Sequence, residues 1–264
     1  MRKVLWVADD DKNGLLSKAD YIRAQAVCIR TTNDWFEGSL KEIKNKGFDV
    51  YAWRWPAVVN PGPGHDPKHH FADNEARYVN ELIEDGLDGY IVDPEADTEK
   101  GKDGKQRPRL SDWWADAKYG PLANSFCDAI KLAGRKKNPH FLFGTTSGCT
   151  YPTSFKAIPW PEFVAHSDVL LPQCYWQGDS GPEHGGTPQS AYDRGMNSWK
   201  TIASTGMRII PLIGQIAKVS DDEITAYNAI IKMHSITEIH FYCYTGAVPS
   251  ENWDAMRAVG TNIS

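Results

Sequence analysis

Two carboxylates stand out by type and spacing. The run from Gly86 to Glu95 reads Gly-Leu-Asp-Gly-Tyr-Ile-Val-Asp-Pro-Glu, an apolar strand-like stretch ending on Asp93 and Glu95, two residues apart. Alternation along an extended chain sends both side chains to one side. Facing a barrel interior, converging acids could do acid/base chemistry on a sugar or an ester away from bulk water. Asp-Pro-Glu after a strand also suits the start of a helix, because Pro fits the first helical position and acids favour a helix N-terminus. These residues alone leave both readings open.

Positioning such a pair takes a rigid scaffold, and the chain offers short apolar runs separated by helical periodicity. Strands are expected at Val4 to Ala8, Ala26 to Arg30, Val50 to Trp53, Gly89 to Asp93, Phe141 to Thr145, Val169 to Tyr175, Arg208 to Ile213 and Glu238 to Tyr244. Helices are expected at Leu40 to Lys46, Asp73 to Asp85, Pro121 to Gly134 and Asp221 to Met233, the last introduced by Ser220 and Glu223 at capping-box spacing. Eight apolar strands alternating with helices predict an α/β fold, a (β/α)8 TIM-like barrel with active residues at the C-terminal strand ends. An open doubly wound sheet is the rival. With no internal repeat, low-complexity tract or linker, the chain reads as a single catalytic barrel domain, 1–264. Long loops at Pro56 to Phe71, Thr98 to Arg109 and Gln177 to Gln189 follow the third, fourth and sixth strands, where loops shape substrate clefts.

Composition narrows the ligand. The 264 residues are 41% hydrophobic, enough to bury one large core, and carry a net charge of -5 with dispersed basic residues. This argues against nucleic acid or an anionic membrane as partner and favours a neutral or mixed-charge substrate. No segment is long enough to span a bilayer, and the apolar run after Met1 stops too early for an export signal. The five cysteines lack zinc-site or redox spacing and read as buried thiols, so a reducing site of synthesis is the simpler expectation. Among ten tryptophans, Trp53, Trp55, Trp113, Trp114 and Trp176 fall near strand ends or loops, where flat rings can stack on pyranose faces. Polar residues also accumulate at the strand ends. Asp9, Asp10, Arg30, Arg54, Gln173, Gln215 and Tyr244, with Trp53 and Trp176, are the expected substrate-binding residues, around the catalytic candidates Glu95, Asp93 and Tyr175.

The segment Asp88-Gly89-Tyr90-Ile91-Val92-Asp93-Pro94-Glu95 resembles the fourth-strand signature Asp-x-x-Asp-x-Asp-x-Glu of glycoside hydrolase family 18, the chitinases and related endo-N-acetylglucosaminidases. The resemblance implies that Glu95 is the general acid and that Asp93 orients the substrate's 2-acetamido group as it attacks the anomeric carbon. Leu171-Pro172-Gln173-Cys174-Tyr175 is similar to the sixth-strand Gln-x-Tyr of plant-type members, which implies that Tyr175 binds the acetamido carbonyl. Ile91 stands where the family has its second aspartate. Asp-x-Glu without that deeper acid also resembles family 25 lysozymes, with Asp9 or Asp10 in place of their first-strand aspartate. The implied substrate is a polysaccharide of β-linked N-acetylhexosamine, peptidoglycan or chitin-like, cut with retention and without a cofactor or metal.

The chemistry suits either family. An oxocarbenium-like transition state needs a proton on the leaving oxygen and an internal nucleophile or negative charge near the anomeric carbon. Burial and the charge of Asp93 are expected to keep a proton on Glu95. Two other readings stay open. A metal-dependent carbohydrate deacetylase would use His65, Asp66, His69 and His70 with Asp9 and Asp10, although Pro67 breaks the helical His spacing. A catalytically silent carbohydrate-binding barrel would keep the aromatic cleft alone. Ser147-Gly148-Cys149 reads as a turn, since no histidine is placed to activate a nucleophile.

Overall fold

The computed structural model describes residues 1–8, 10–58, 71–95, 98–100, 106–108, 113–177 and 186–260. Strands β1 (Arg2–Val7), β2 (Ala26–Arg30), β3 (Asp49–Arg54), β4 (Gly89–Val92), β7 (Leu142–Gly148), β8 (Val169–Gln173), β9 (Arg208–Ile209), β10 (Leu212–Ile213) and β11 (Glu238–Tyr244) form one parallel sheet. A short antiparallel ribbon of β5 (Thr98–Lys100) and β6 (Gln106–Pro108) lies within the long connection after β4. The sheet closes on itself, because β11 pairs with both β1 and β10 while β8 pairs with both β9 and β10. Strands β9 and β10 are two halves of the seventh barrel strand, interrupted at Ile210 and Pro211. Pro211 has no N–H to give to a ladder. The fold is therefore the closed eight-stranded (β/α)8 barrel, and the open doubly wound sheet is excluded by the closure.

Helices α1 (Lys12–Tyr21), α2 (Leu40–Asn45), α3 (Ala72–Glu84), α4 (Gly120–Lys137), α5 (Tyr151–Ser154), α6 (Trp160–His166), α7 (Pro188–Trp199) and α8 (Asp221–Met233) lie between the strands, and α9 (Ser250–Ala258) follows the last one. Their starts follow local chemistry. Ser220 and Glu223 form the expected capping box at α8, and Thr187 with Ser190 forms another at α7. Arg135, Lys136 and Lys137 complement the negative end of the α4 dipole.

Strand alternation divides the core into two layers. Inward residues Val4, Trp6, Ala26, Cys28, Tyr51, Trp53, Ile91, Val169, Leu171 and Leu212 fill the barrel. Their outward neighbours, such as Leu5, Val27, Val50, Val92 and Leu170, pack under the helices. Near the N-terminal end the fill turns polar. The Trp6 indole N–H donates to His240 Nδ1 (2.9 Å), so Nε2 must carry the imidazole proton that meets Glu238 Oε1 (2.7 Å). Arg208 also bonds Glu238 (2.9 Å). Burial opposes ionisation of Glu238, yet the hydrogen bond from His240 Nε2 and the charges of Arg208 and Arg2 win and hold its carboxyl down to about 2. This end is a packed, charge-balanced floor, which leaves the opposite end to carry chemistry.

Candidate functional site

Past β4 the inward series Gly89, Ile91 continues to Asp93 and then Glu95. The Asp93 N–H donates to the Arg54 carbonyl (2.8 Å), extending the β3–β4 ladder by one rung. Ser147 Oγ, buried, donates to the Pro94 carbonyl (3.0 Å). The Trp114 N–H reaches the Glu95 carbonyl (3.3 Å), and the Trp114 indole anchors on the Pro56 carbonyl (2.7 Å). Asp-Pro-Glu is thus pinned from three sides in extended form. It starts no helix: residues 93–95 are non-helical and the next described element is the β5 strand. Ser147 serves this backbone as a hydrogen-bond donor.

The two acids share one environment. Asp93 is 4% exposed, and Oδ2 accepts a hydrogen bond from Gln173 Nε2 (3.1 Å) across the mouth. Burial first, then the charge of Glu95 and a hydrogen bond with it, hold the Asp93 carboxyl well above the usual carboxylate range, against the smaller opposing effect of Gln173. The pair therefore keeps a proton where two isolated carboxylates would have lost both. Glu95 is half-buried, at the accessible side of the pair.

Strand β8 supplies the facing wall. Gln173 and Tyr175 project inward by alternation, and the Tyr175 ring stacks on Tyr242 of β11 (centroids 5.6 Å apart, planes at 11°). Tyr242 meets Trp53 edge-on (5.6 Å, 81°), and Trp53 tilts against both Trp55 (5.3 Å) and Trp6 (5.4 Å). The Trp53 indole N–H is tied to the Val7 carbonyl (3.0 Å), so this wall is rigid. Tyr175 fits because residue 214 is glycine: a Cβ there would lie 1.9 Å from the Tyr175 ring. Sequence reasoning passed over Tyr242 and Gly214. Tyr242 was detectable, since it lies an even number of residues from His240 on a strand that faces the barrel.

The other expected residues divide by strand parity. Arg30 and Trp53 point inward, level with one another in the β2–β3 register. Arg54 follows Trp53 and so faces outward, where it is 3% exposed, bonds Thr32 Oγ1 (3.2 Å) and lies over Trp55 (4.6 Å to the centroid). Trp176 likewise follows Tyr175 and is buried in the outer layer against Tyr227 (5.2 Å). Trp114 is fully buried in that layer, edge-on to Phe163. Tyr244 breaks the rule: it has the parity of Tyr242, but the β1–β11 register shifts between Phe241 and Tyr244, and Tyr244 lies in the outer layer, where its hydroxyl donates to Asp11 Oδ2 (3.0 Å), the N-cap of α1. Asp10 clamps backbone, accepting from the N–H groups of Asp11 (2.8 Å) and Gly246 (3.0 Å). Gln215, half-buried after β10, adopts a left-handed backbone (φ 57°). Asp9 and the histidines 65, 69 and 70 lie outside the described residues, as do most of the three long loops. Among the described residues no group of three or more His, Cys, Asp or Glu is disposed to hold a metal ion, and no helix is long and apolar enough to cross a membrane.

No family model matches the sequence, and no curated protein matches it. Solved structures do match in fold. The spore cortex-lytic enzyme SleL of Bacillus cereus superposes with a TM-score of 0.62 at 10% identity, over 98% of this chain and 74% of that one. A GH18 chitinase from Pseudoalteromonas aurantia gives 0.55 at 13% identity, over 98% and 99% of the two chains. A xylanase-A-amylase inhibitor protein, XAIP-III, gives 0.61 at 14% identity and 99% coverage of both. At these identities the likeness is one of architecture: the chain has the closed (β/α)8 barrel of all three.

Proposed function

We propose that this chain is a glycoside hydrolase, one catalytic barrel across residues 1–264, that cuts β-linked N-acetylhexosamine polymers with retention. The observation that carries the reading is the acid pair, Asp93 buried and Glu95 half-buried, on the side of the barrel mouth where Gln173 bonds Asp93 and Tyr175 projects inward. Enzymes and an inhibitor share this architecture, so fold alone does not carry the activity; the acids do.

In the proposed reaction, Glu95 gives its proton to the glycosidic oxygen as the bond to the anomeric carbon breaks. The substrate's own acetamido oxygen attacks that carbon, and Asp93 holds the acetamido N–H as positive charge develops. The Tyr175 hydroxyl orients the acetamido carbonyl. Water then adds to the anomeric carbon, giving its proton to the Glu95 carboxylate, and the hemiacetal forms with retention. Below Asp93 stands apolar Ile91, so burial first and then Glu95 keep the shared proton in the pair, against the smaller effect of Gln173. The Trp53, Trp55 and Tyr242 rings offer faces for pyranose stacking. A deacetylase reading would have to rest on Asp9 and the 65–70 segment, and nothing in the described mouth favours it.

Mass spectrometry of products from chitin oligomers and from peptidoglycan tests the reading. Expected are fragments with a new N-acetylhexosamine reducing end, absent with Glu95→Gln. Intact polymers from both incubations, or deacetylated chains of unchanged length, would refute it.

A further inference from the structure

Resting on the hydrolase reading, we infer that Ser147 and Trp114 are positioning residues for the reaction: they hold the two peptide planes that flank Glu95 and so aim its carboxyl at the glycosidic oxygen. The need for such holders comes from Pro94. The β4–β7 ladder has its last register pair at Val92 and Thr145, and two residues further on Pro94 has no N–H with which to continue it. At that level β7 supplies a donor from a side chain instead. Ser147 is fully buried, and its Oγ reaches the Pro94 carbonyl at 3.0 Å. The Pro94 carbonyl and the Glu95 nitrogen belong to one planar peptide unit, so this bond fixes the plane that enters Glu95. The plane that leaves Glu95 carries its own carbonyl, which the Trp114 N–H holds at 3.3 Å. Trp114 is itself anchored: its ring is fully buried edge-on to Phe163 (5.0 Å, 83°), and its indole N–H donates to the Pro56 carbonyl (2.7 Å). With both planes held, φ and ψ of Glu95 are set, and with them the direction of its Cα–Cβ bond.

The two acids depend on this support unequally. Asp93 is 4% exposed and its carboxyl is bonded directly by Gln173 (3.1 Å). Glu95 is half-buried on a longer side chain, so where its carboxyl reaches depends on where its backbone points. A displacement of about 1 Å at a reacting group can lower a rate roughly a hundredfold, which makes the backbone bonds on either side of Glu95 matter to the chemistry. The same strand carries a control for packing. Thr145, two residues before Ser147 on the same face and equally buried, directs its hydroxyl to Ser167 Oγ (2.8 Å), which in turn donates to the Phe163 carbonyl (2.8 Å). That bond ties β7 to the end of α6, away from Asp-Pro-Glu.

The test compares Ser147→Ala, Trp114→Phe and Thr145→Val with wild type on chitin oligomers and peptidoglycan strands. Ser147→Ala and Trp114→Phe, the latter keeping a ring but losing the bond to Pro56, should each lower kcat about tenfold to a hundredfold while KM changes less than about twofold, the pattern of a misplaced acid on a bound substrate. Thr145→Val should lose Tm to a similar extent and keep its kcat. Ser147→Cys, which retains the shape with a weaker donor, should fall between Ser147→Ala and wild type, and it reads the same quantities if the alanine variant does not fold. NMR titration of the two carboxyls detects the displacement without any substrate. Burial and then Glu95 raise the Asp93 carboxyl, against Gln173 from β8, so a Glu95 that swings away lets the upper titration point of the pair fall. That point should move down in Ser147→Ala and stay in Thr145→Val. Wild-type kcat and titration in Ser147→Ala, or an equal loss of kcat in Thr145→Val, overturns the role of Ser147 and leaves the hydrolase reading standing; wild-type kcat in Trp114→Phe does the same for Trp114. If wild-type protein cuts neither polymer, the hydrolase reading fails. The carboxyl titrations of the three variants then still decide whether Ser147 and Trp114 hold Glu95 beside Asp93.

Discussion

Asp93→Asn separates stability from activity in a way that reports the buried proton directly. The amide keeps the shape of the carboxyl, and its oxygen can still accept from Gln173 Nε2 at 3.1 Å. What it loses is the ionisable group. Because the folded-state pKa of Asp93 is raised, the native protein binds a proton there that the unfolded chain releases above about pH 4. Stability from this group is therefore fully present below that pH and declines as pH rises toward the folded value. The decline amounts to at most about 1.4 kcal/mol per pH unit, or about 3–5 °C in Tm per unit for a chain of this size. Thermal unfolding of the wild type and Asp93→Asn between pH 4 and 8 should give nearly equal Tm at the acid end and a growing advantage for the variant above it. Burial is the larger cause and Glu95 the second, so Glu95→Gln should narrow the window without abolishing it. Turnover of N-acetyl glycans should meanwhile fall in Asp93→Asn at every pH. A Tm difference that stays flat across the range, or one that favours the wild type at pH 8, would mean that Asp93 holds no buried proton, and the coupling of the acid pair would have to be abandoned.

Glu95→Gln should fold with a near wild-type circular dichroism spectrum and lose roughly 10²- to 10⁴-fold in kcat, as expected for a removed general acid; near-full activity would take Glu95 out of the mechanism. Gly214→Ala drives a methyl into the Tyr175 ring. It should destabilise by about 1–3 kcal/mol in urea unfolding and lower kcat/KM on N-acetylated substrates, while an unaltered variant would mean that the Tyr175 position is not held from that side. At the barrel floor, Glu238 is held down to about 2 from an ordinary value near 4.5. Its stabilisation, at most about 3 kcal/mol, is present above the ordinary value and lost as pH falls through about 2. Glu238→Gln should thus be less stable than wild type at pH 7 and converge with it in strong acid; a gap that persists in acid would assign the loss to packing.

The barrel was legible because each parallel strand, buried on both faces, reads as a short apolar run, and the eight expected runs correspond to the eight barrel strands. Ala26–Arg30 and Glu238–Tyr244 coincide with their expected ranges, as does helix Asp221–Met233. Ends that depend on neighbours shifted. β7 runs on to Gly148, where it pairs with Gln173, and the seventh strand is broken at Ile210 and Pro211. The β5–β6 ribbon went unforeseen because a charged loop carries no apolar periodicity.

Within the mouth, sequence alone determined which residues share a side: Asp93 with Glu95, and Gln173 with Tyr175, since a strand's two-residue repeat is a local property. The same repeat already implied that Arg54 and Trp176, adjacent to Trp53 and Tyr175, must face the other layer. What lay beyond reach was every relation set by strands distant in the chain. Tyr242 stacking on Tyr175, Gly214 making room for it, Arg30 and Arg54 meeting at Trp55, and Gln173 bonding Asp93 all join separate strands. The raised carboxyl of Asp93 belongs to this second kind. Spacing says that two acids can meet, whereas burial, decided only when the barrel closes, says that they hold a proton between them.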